Sequence, residues 1–274
     1  MTSLRAAPAA NRDLEIVAVL PMAGHATRLA AAGALAASKE ILPLGVDELG
    51  GPPRLVCEHL LETLALAGVR RGFVVLRRGK WDIPQALGDG RRWGLDLAYL
   101  VLDSSASVPE TLDRATPLVR GMGVALGFPD VLAEPQDGLA RVAELWRHGG
   151  ADVALGLYPT DRPEKTDMVE TDAAGNLVRL HPKPHQMGHL GFTWLTAVWG
   201  PRFTELLHRV VASGLRPAGR ELYPSDVLQR AVDEGLRVVT LRFPEGSHLD
   251  VGTPEDLERA RHRPSPPIRG RVGG

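Results

Sequence analysis

The chain has 274 residues, of which 44% are hydrophobic and 24% charged, and a formal net charge of -1, a profile that fits a globular protein with core enough for one large domain. No apolar run reaches the roughly 18 residues of a membrane span, and no apolar signal core precedes the first strand-like segment, so the expected compartment is the cytoplasm, without a membrane partner. The single cysteine, Cys57, excludes an internal disulfide and a thiolate zinc site, and the near-neutral charge argues against a dedicated nucleic-acid binder.

In chain order, Leu14 to Leu20 (LEIVAVL) is apolar and β-branched enough for a buried strand, followed by the loop PMAGHATRL and an Ala-rich helix ending at Ser38. The spacing of LVCEHLLETLAL predicts a helix from Leu55 to Leu66, closed by Gly68. Strands are expected at Phe73–Leu76, Leu97–Leu102, Val124–Phe128 and Val153–Leu157, with the amphipathic GLARVAELWRHGG between the last two and its glycines as helix stop. Residues Asp172 to Asn176 form a polar turn between two β-like segments, which predicts a hairpin. GFTWLTAVW is a further strand, PRFTELLHRVVASG a helix begun near Pro201, and SDVLQRAVDEG a helix opened by Ser225 or Asp226. LRVVTLRF reads as the last strand, with Asp250 expected just after it, and TPEDLERARH as a helix capped by Thr253. The alternation predicts a Rossmann-like α/β fold: a mostly parallel central sheet, helices on both faces and an added β-hairpin region. We expect one domain over residues 13–262, with flexible tails of linker composition at 1–12 and 263–274.

Ligands of open α/β sheets bind beyond the carboxyl ends of the strands, and PMAGHATRL is the first loop there. Gly24 lets a phosphate approach the backbone N–H groups of a helix N-terminus, but the loop is neither a dinucleotide fingerprint nor a P-loop. Only four of the 32 basic residues are lysines: Lys39, Lys80, Lys165 and Lys183. In a chain that otherwise uses Arg for charge, a Lys is more often present for its compact ammonium.

PMAGHATRL followed by SKEILPLG resembles the signature of the sugar-1-phosphate nucleotidylyltransferases, with Thr27, Arg28, Leu29, Lys39, Leu42 and Pro43 matching in order and spacing. Lys183 in HPKP is similar to the family's lysine before proline, and HLDVGTPEDLERA to its W-x-D-x-G-T-P-E-D-L segment. The resemblance implies that a nucleoside triphosphate and a sugar 1-phosphate react to give a nucleotide sugar and pyrophosphate. The attacking phosphate is already an anion, so such chemistry needs positive charge and alignment rather than a general base. It further implies Arg28 and Lys39 as catalytic cations, Ala23, Gly24, Thr27 and Thr111 around the nucleotide, and Lys183 and Glu221 on the sugar phosphate. Asp130 and Asp250 are the implied ligands of Mg²⁺, which suits carboxylate oxygens, and self-association is implied as in many relatives.

The chain departs from the pattern at Ala23, Ala26 and Thr111, where glycines are usual, at Pro182, which replaces an acid, and at Asp130, which stands in G-F-P-D rather than G-D. The alternative function is a non-catalytic nucleotide or nucleotide-sugar binding protein on the same fold. A metal-dependent glycosyltransferase would place D-x-D near Asp130, and none occurs. His181, His185 and His189 recur every four residues, but Pro182 and Pro184 exclude a helix that would align them. Lys80 and Lys165 match no motif, and their removal is expected to be silent.

Overall fold

The computed structural model of the chain describes residues 11–24, 37–45, 53–184, 189–217 and 219–263. Strand β1 (Ile16–Pro21) is buried on both faces through Leu20, which is why its sequence is a continuous apolar run. It pairs in parallel with β2 (Arg71–Arg77) on one side and β4 (Gly123–Leu126) on the other, and β2 pairs in parallel with the edge strand β3 (Asp96–Leu102). Beyond β4 come β9 (Phe192–Trp199), β6 (Val153–Pro159) and β10 (Val238–Arg242), in the order β10-β6-β9-β4-β1-β2-β3. Only β9 runs against its neighbours on this path. The expected hairpin is present as β7 (Asp167–Thr171) and β8 (Leu177–Pro182), joined to the sheet where Met168 meets Thr193.

Alternation along β1 divides the core between two layers of helices. Ala18 and Leu20 pack with Leu60 and Leu64 of α1 (Glu58–Leu66) and with Leu139, Val142 and Trp146 of the helix Gly138–Gly149. Val17 and Val19 face the opposite way, toward Leu112 of the helix Val108–Asp113, Leu206 of the helix Pro201–Ala212 and Val227 of the helix Pro224–Asp233. Burying each such side chain contributes roughly 1.5–3 kcal/mol before entropy is subtracted. Gly68 (φ +77°) and Gly150 (φ +58°) take the left-handed conformation that ends α1 and the helix Gly138–Gly149, as their sequence positions predict. Among the described residues no helix is long and apolar enough to cross a membrane.

Two elements differ from expectation. The helix expected to open at Ser225 or Asp226 begins at Pro224. Asp226 does cap it, but from inside, its carboxylate accepting the Tyr223 backbone N–H at 2.8 Å. Asp250 does not follow β10 directly. It ends a further strand, β11 (Ser247–Asp250), which pairs antiparallel with β5 (Val131–Glu134) in a separate two-stranded ladder. A third apolar cluster lies beneath that ladder, joining Leu42 and Leu44 to Leu132, Val251, Leu257 and Ala260. The last two belong to the helix Pro254–Arg261, whose N-cap Thr253 accepts the Asp256 N–H at 3.2 Å as expected.

Candidate active site

The β5–β11 ladder sets Asp250 opposite Val131, and Val251 N–H donates to the Asp130 carbonyl at 2.8 Å. Asp130 and Asp250 are thereby carried at the same end of one ladder, although far apart in sequence. Lys39 opens a short 3-10 turn, Lys39–Ile41, and its ammonium forms an ion pair with Asp130. Leu42 and Val251 share the apolar cluster below, so the packing that seats the lysine segment also seats the two acids.

These groups line a cleft of about 630 Å³ together with Ala23, Gly24, Ser105, Ser107, Thr111, Phe128 and Glu221. Among the described residues, a Cβ on Gly24 would meet nothing within 4 Å, so on that side the backbone is open to an approaching group. Thr111 also lines the cleft, its hydroxyl bonding the Ser107 carbonyl at 3.1 Å and Ser105 Oγ at 2.8 Å. Thr111 therefore holds the Ser105–Ser107 turn in shape as well as facing the cleft. Thr27 and Arg28, with Ala26, lie outside the described residues, as does His185.

A second cleft, of about 870 Å³, adjoins the first through Asp250 and is lined by Arg162, Lys165, Lys183, His248, Arg259 and Arg263, among others. Lys183 therefore stands in the adjoining cleft, with its backbone at φ +42° and its ammonium 4.2 Å from the centre of the Tyr223 ring. Arg220 lies 4.6 Å from the same ring and pairs with Asp226 through both its Nη atoms at 2.7 Å. Tyr223 and Arg220 are near neighbours of Glu221 that sequence reading passed over; the signal was a Tyr and an Arg within two residues of that singled-out acid. His181 hydrogen-bonds Glu170 across the hairpin at 3.2 Å, and no group of three or more His, Cys, Asp or Glu that could hold a metal occurs among the described residues.

The electrostatics favour a charged Lys39. Burial lowers its pKa, but Asp130 beside it, with Glu40 and Asp250, more than compensates and leaves it above the ordinary lysine value. For a metal, the donor set is two carboxylates on a ladder end that opens into a polar cleft, which fits a hard divalent cation that keeps water and takes its remaining ligands from phosphate. Thiolate and imidazole sites have other donors and do not fit.

Lys80 corrects the sequence reading most clearly. It is 5% exposed and Glu40 1%, and its ammonium donates to both Glu40 carboxylate oxygens at 2.8 Å, to the Met22 carbonyl at 2.8 Å and to the Gly24 carbonyl at 3.3 Å. It is a buried ion directly behind the cleft wall. Its position two residues before Asp82, past the end of a buried strand, in a chain poor in lysine, was the available signal.

The mixed, mostly parallel sheet with helices on both faces is a Rossmann-like α/β fold. The fold aligns with a Bacillus anthracis protein described as a glucose-1-phosphate thymidylyltransferase, solved with sucrose, at a TM-score of 0.75 and 16% identity, covering 90% of this chain and 94% of that one. It aligns with UDP-glucose pyrophosphorylase in complex with UDP-glucose at a TM-score of 0.74 and 16% identity, covering 90% and 97%.

In sequence the chain is related to nucleotidyltransferases. It is 30% identical over 202 residues to glucose-1-phosphate thymidylyltransferase of an Actinoplanes species, covering 73% of this chain and 64% of that protein. It is 23% identical over 211 residues to the low-salt glycan biosynthesis nucleotidyltransferase of Haloferax volcanii, covering 75% and 56%. The chain thus spans between about half and two thirds of the length of the curated relatives it matches. No family model matches it.

Proposed function

We propose that the chain is a nucleotidylyltransferase: a phosphate oxygen of a sugar 1-phosphate attacks the α-phosphorus of a nucleoside triphosphate, the bond to the β-phosphate oxygen breaks, and pyrophosphate leaves. The observation that carries this reading is the gathering of Lys39, Asp130 and Asp250 on one cleft at the carboxyl end of β1, beside the open backbone of Gly24.

Two polyanions must meet in line, so the protein's work is charge neutralisation and alignment. Lys39, kept cationic by its acidic neighbours, turns from Asp130 to an α-phosphate oxygen and follows the charge that builds there. Arg28 is assigned to the leaving pyrophosphate, where its planar fork suits phosphate oxygens. Lys183 holds the sugar phosphate from the adjoining cleft, and Glu221, as a bidentate acceptor, takes sugar hydroxyls. The Ser105–Ser107 turn and Thr111 form the wall against which the base lies. Asp130 and Asp250 are assigned to Mg²⁺. When bound, the cation supplies positive charge that offsets the repulsion between the phosphates.

The test is pyrophosphate release from each common nucleoside triphosphate with a panel of sugar 1-phosphates, with and without chelator. Release that requires the sugar phosphate and stops with chelator is expected. Nucleotide-sugar binding without release under any pairing would replace this reading with the non-catalytic one.

A further inference from the structure

Burying a lysine and a glutamate together is a poor route to stability, because the cost of desolvating both charges largely cancels their attraction. Burial pushes Glu40 above the ordinary carboxylate range and Lys80 below the ordinary lysine value, the mutual attraction notwithstanding. An apolar pair of similar volume would avoid that desolvation cost, so the pair calls for an account in what else the ammonium holds.

Its geometry supplies one. The four acceptors of the Lys80 ammonium lie on both sides of the stretch from residue 25 to 37: the Met22 and Gly24 carbonyls where β1 ends, and the Glu40 carboxylate where the lysine turn begins. Two residues on, Asp82 accepts the Ser38 backbone N–H at 2.6 Å and the Ser38 hydroxyl at 2.9 Å. Ser38 immediately precedes Lys39, and Glu40 immediately follows it. The Glu40 backbone is held as well, its carbonyl accepting the Cys57 N–H at 2.8 Å. One short turn after β2 therefore grips both flanks of Lys39 and the start of the loop that follows β1. A single ammonium is suited to this, since it is compact enough to serve convergent acceptors from several directions.

We propose that Lys80 is a positioning residue, and that with Glu40 and Asp82 it fixes the Lys39 backbone relative to Met22–Gly24 so that the Lys39 ammonium is aligned on the reacting phosphate. This rests on the function proposed above. Lys80 touches no substrate and acts through Lys39, at a site where displacement of about 1 Å can cost roughly a hundredfold in rate.

The experiment compares wild type, the pair replacement Lys80→Met with Glu40→Leu, Lys39→Ala, and all three changes combined. The pair replacement removes both charges and leaves only the Met22 and Gly24 carbonyls without their donor, so a folded protein that melts below wild type but above Lys80→Met alone is expected. In pyrophosphate-release kinetics its kcat is expected to fall at least tenfold while KM for the sugar phosphate stays within about twofold, because Lys183 and Glu221 are untouched. Added to Lys39→Ala, the same replacement is expected to cost less than twofold. A kcat within twofold of wild type, or an undiminished loss in the Lys39→Ala background, overturns the proposal. Hydrogen exchange is read on the same proteins without need of turnover: the Ile41 and Leu42 amides are expected to lose at least tenfold protection in the pair replacement, and unchanged protection there overturns the proposal. A wild type that releases no pyrophosphate under any pairing, yet loses that protection on pair replacement, overturns the proposed reaction and leaves the clamp standing.

Discussion

Lys39 and Lys80 are both lysines within reach of Glu40, yet they do different things because one opens onto a cleft and the other does not. Lys39 keeps a 21% exposed side chain paired to an acid that a cation can claim, so its charge is available to a ligand. Lys39→Ala and Asp250→Asn are each expected to cut turnover roughly a hundredfold or more with the far-ultraviolet circular dichroism unchanged; full activity in either would remove the role assigned to it. The charge of Lys80 is consumed internally. Lys80→Met by itself leaves the Glu40 carboxylate buried and uncompensated, and is expected to lower unfolding free energy by about 3–5 kcal/mol in a denaturant titration. A change below about 1 kcal/mol would show that the site admits water.

At the scale of elements, the β5–β11 ladder owes its position to α1 as well as to the cluster under it. His59 of α1 places Nε2 2.8 Å from the Ala133 carbonyl and 3.0 Å from the Ala133 nitrogen, bolting the helix to β5. Burial, aided by Arg54 and opposed by the Ala133 contact, pulls its pKa down to about 4, against about 6.5 in the unfolded chain. Above that unfolded value both states are neutral and the histidine has no pH effect. As pH falls from about 6.5 toward 4, the unfolded chain takes up a proton that the folded one refuses, so roughly 3 kcal/mol of stability is lost across that window. The melting temperature should fall accordingly between pH 6.5 and 4, and His59→Gln should flatten the fall; an equally steep profile in that variant would assign the loss to other groups. On the same side of the sheet as α1, a Cβ at Gly123 in β4 would lie 2.8 Å from the Trp146 ring and 3.1 Å from Ile16. Gly123→Ala is expected to cost about 1–3 kcal/mol of overpacking, read by the same titration.

Across the whole molecule, a second set of structural braces lies at the end of the sheet away from the candidate site. The clefts lie where β1 ends, whereas Asp152 sits just before β6, accepting Arg202 Nη1 at 2.8 and 3.0 Å and the Arg237 N–H at 2.8 Å. Its carbonyl takes the Gly200 N–H at 2.9 Å, so a single residue ties β6, β10 and the end of β9. Asp152→Ala should lower stability by about 1–3 kcal/mol, since it removes charge-assisted bonds although water can take over the exposed Arg202 guanidinium. Pyrophosphate release per folded molecule should stay within about twofold of wild type. A selective loss of turnover in that variant would mean that the two ends of the sheet are coupled.

What could be read from residues alone was whatever depends on neighbours in the chain. LEIVAVL had to be a buried strand, Gly68 and Gly150 had to end helices, and Thr253 had to cap the last one, because each is governed by backbone propensity within a few residues. Lys39 and Asp250 stand in short patterns in a fixed order, whereas Asp130 departs from its pattern and was singled out as the acid at the end of a central strand. The β5–β11 ladder was not legible: each strand has four residues, too few for a period to register, and each exists only because a distant partner and the Leu42–Val251 cluster supply its hydrogen bonds and its burial. For Lys80 the scarcity of lysine and the place past a buried strand hinted at a special role, but its burial was hidden, since its acceptors come from two segments that meet it only in the fold. The chain order thus determined the sheet, its helices and the residues that carry charge, while the tertiary structure decided which charges face a cleft, because burial and ion pairing depend on segments that meet only in the folded molecule.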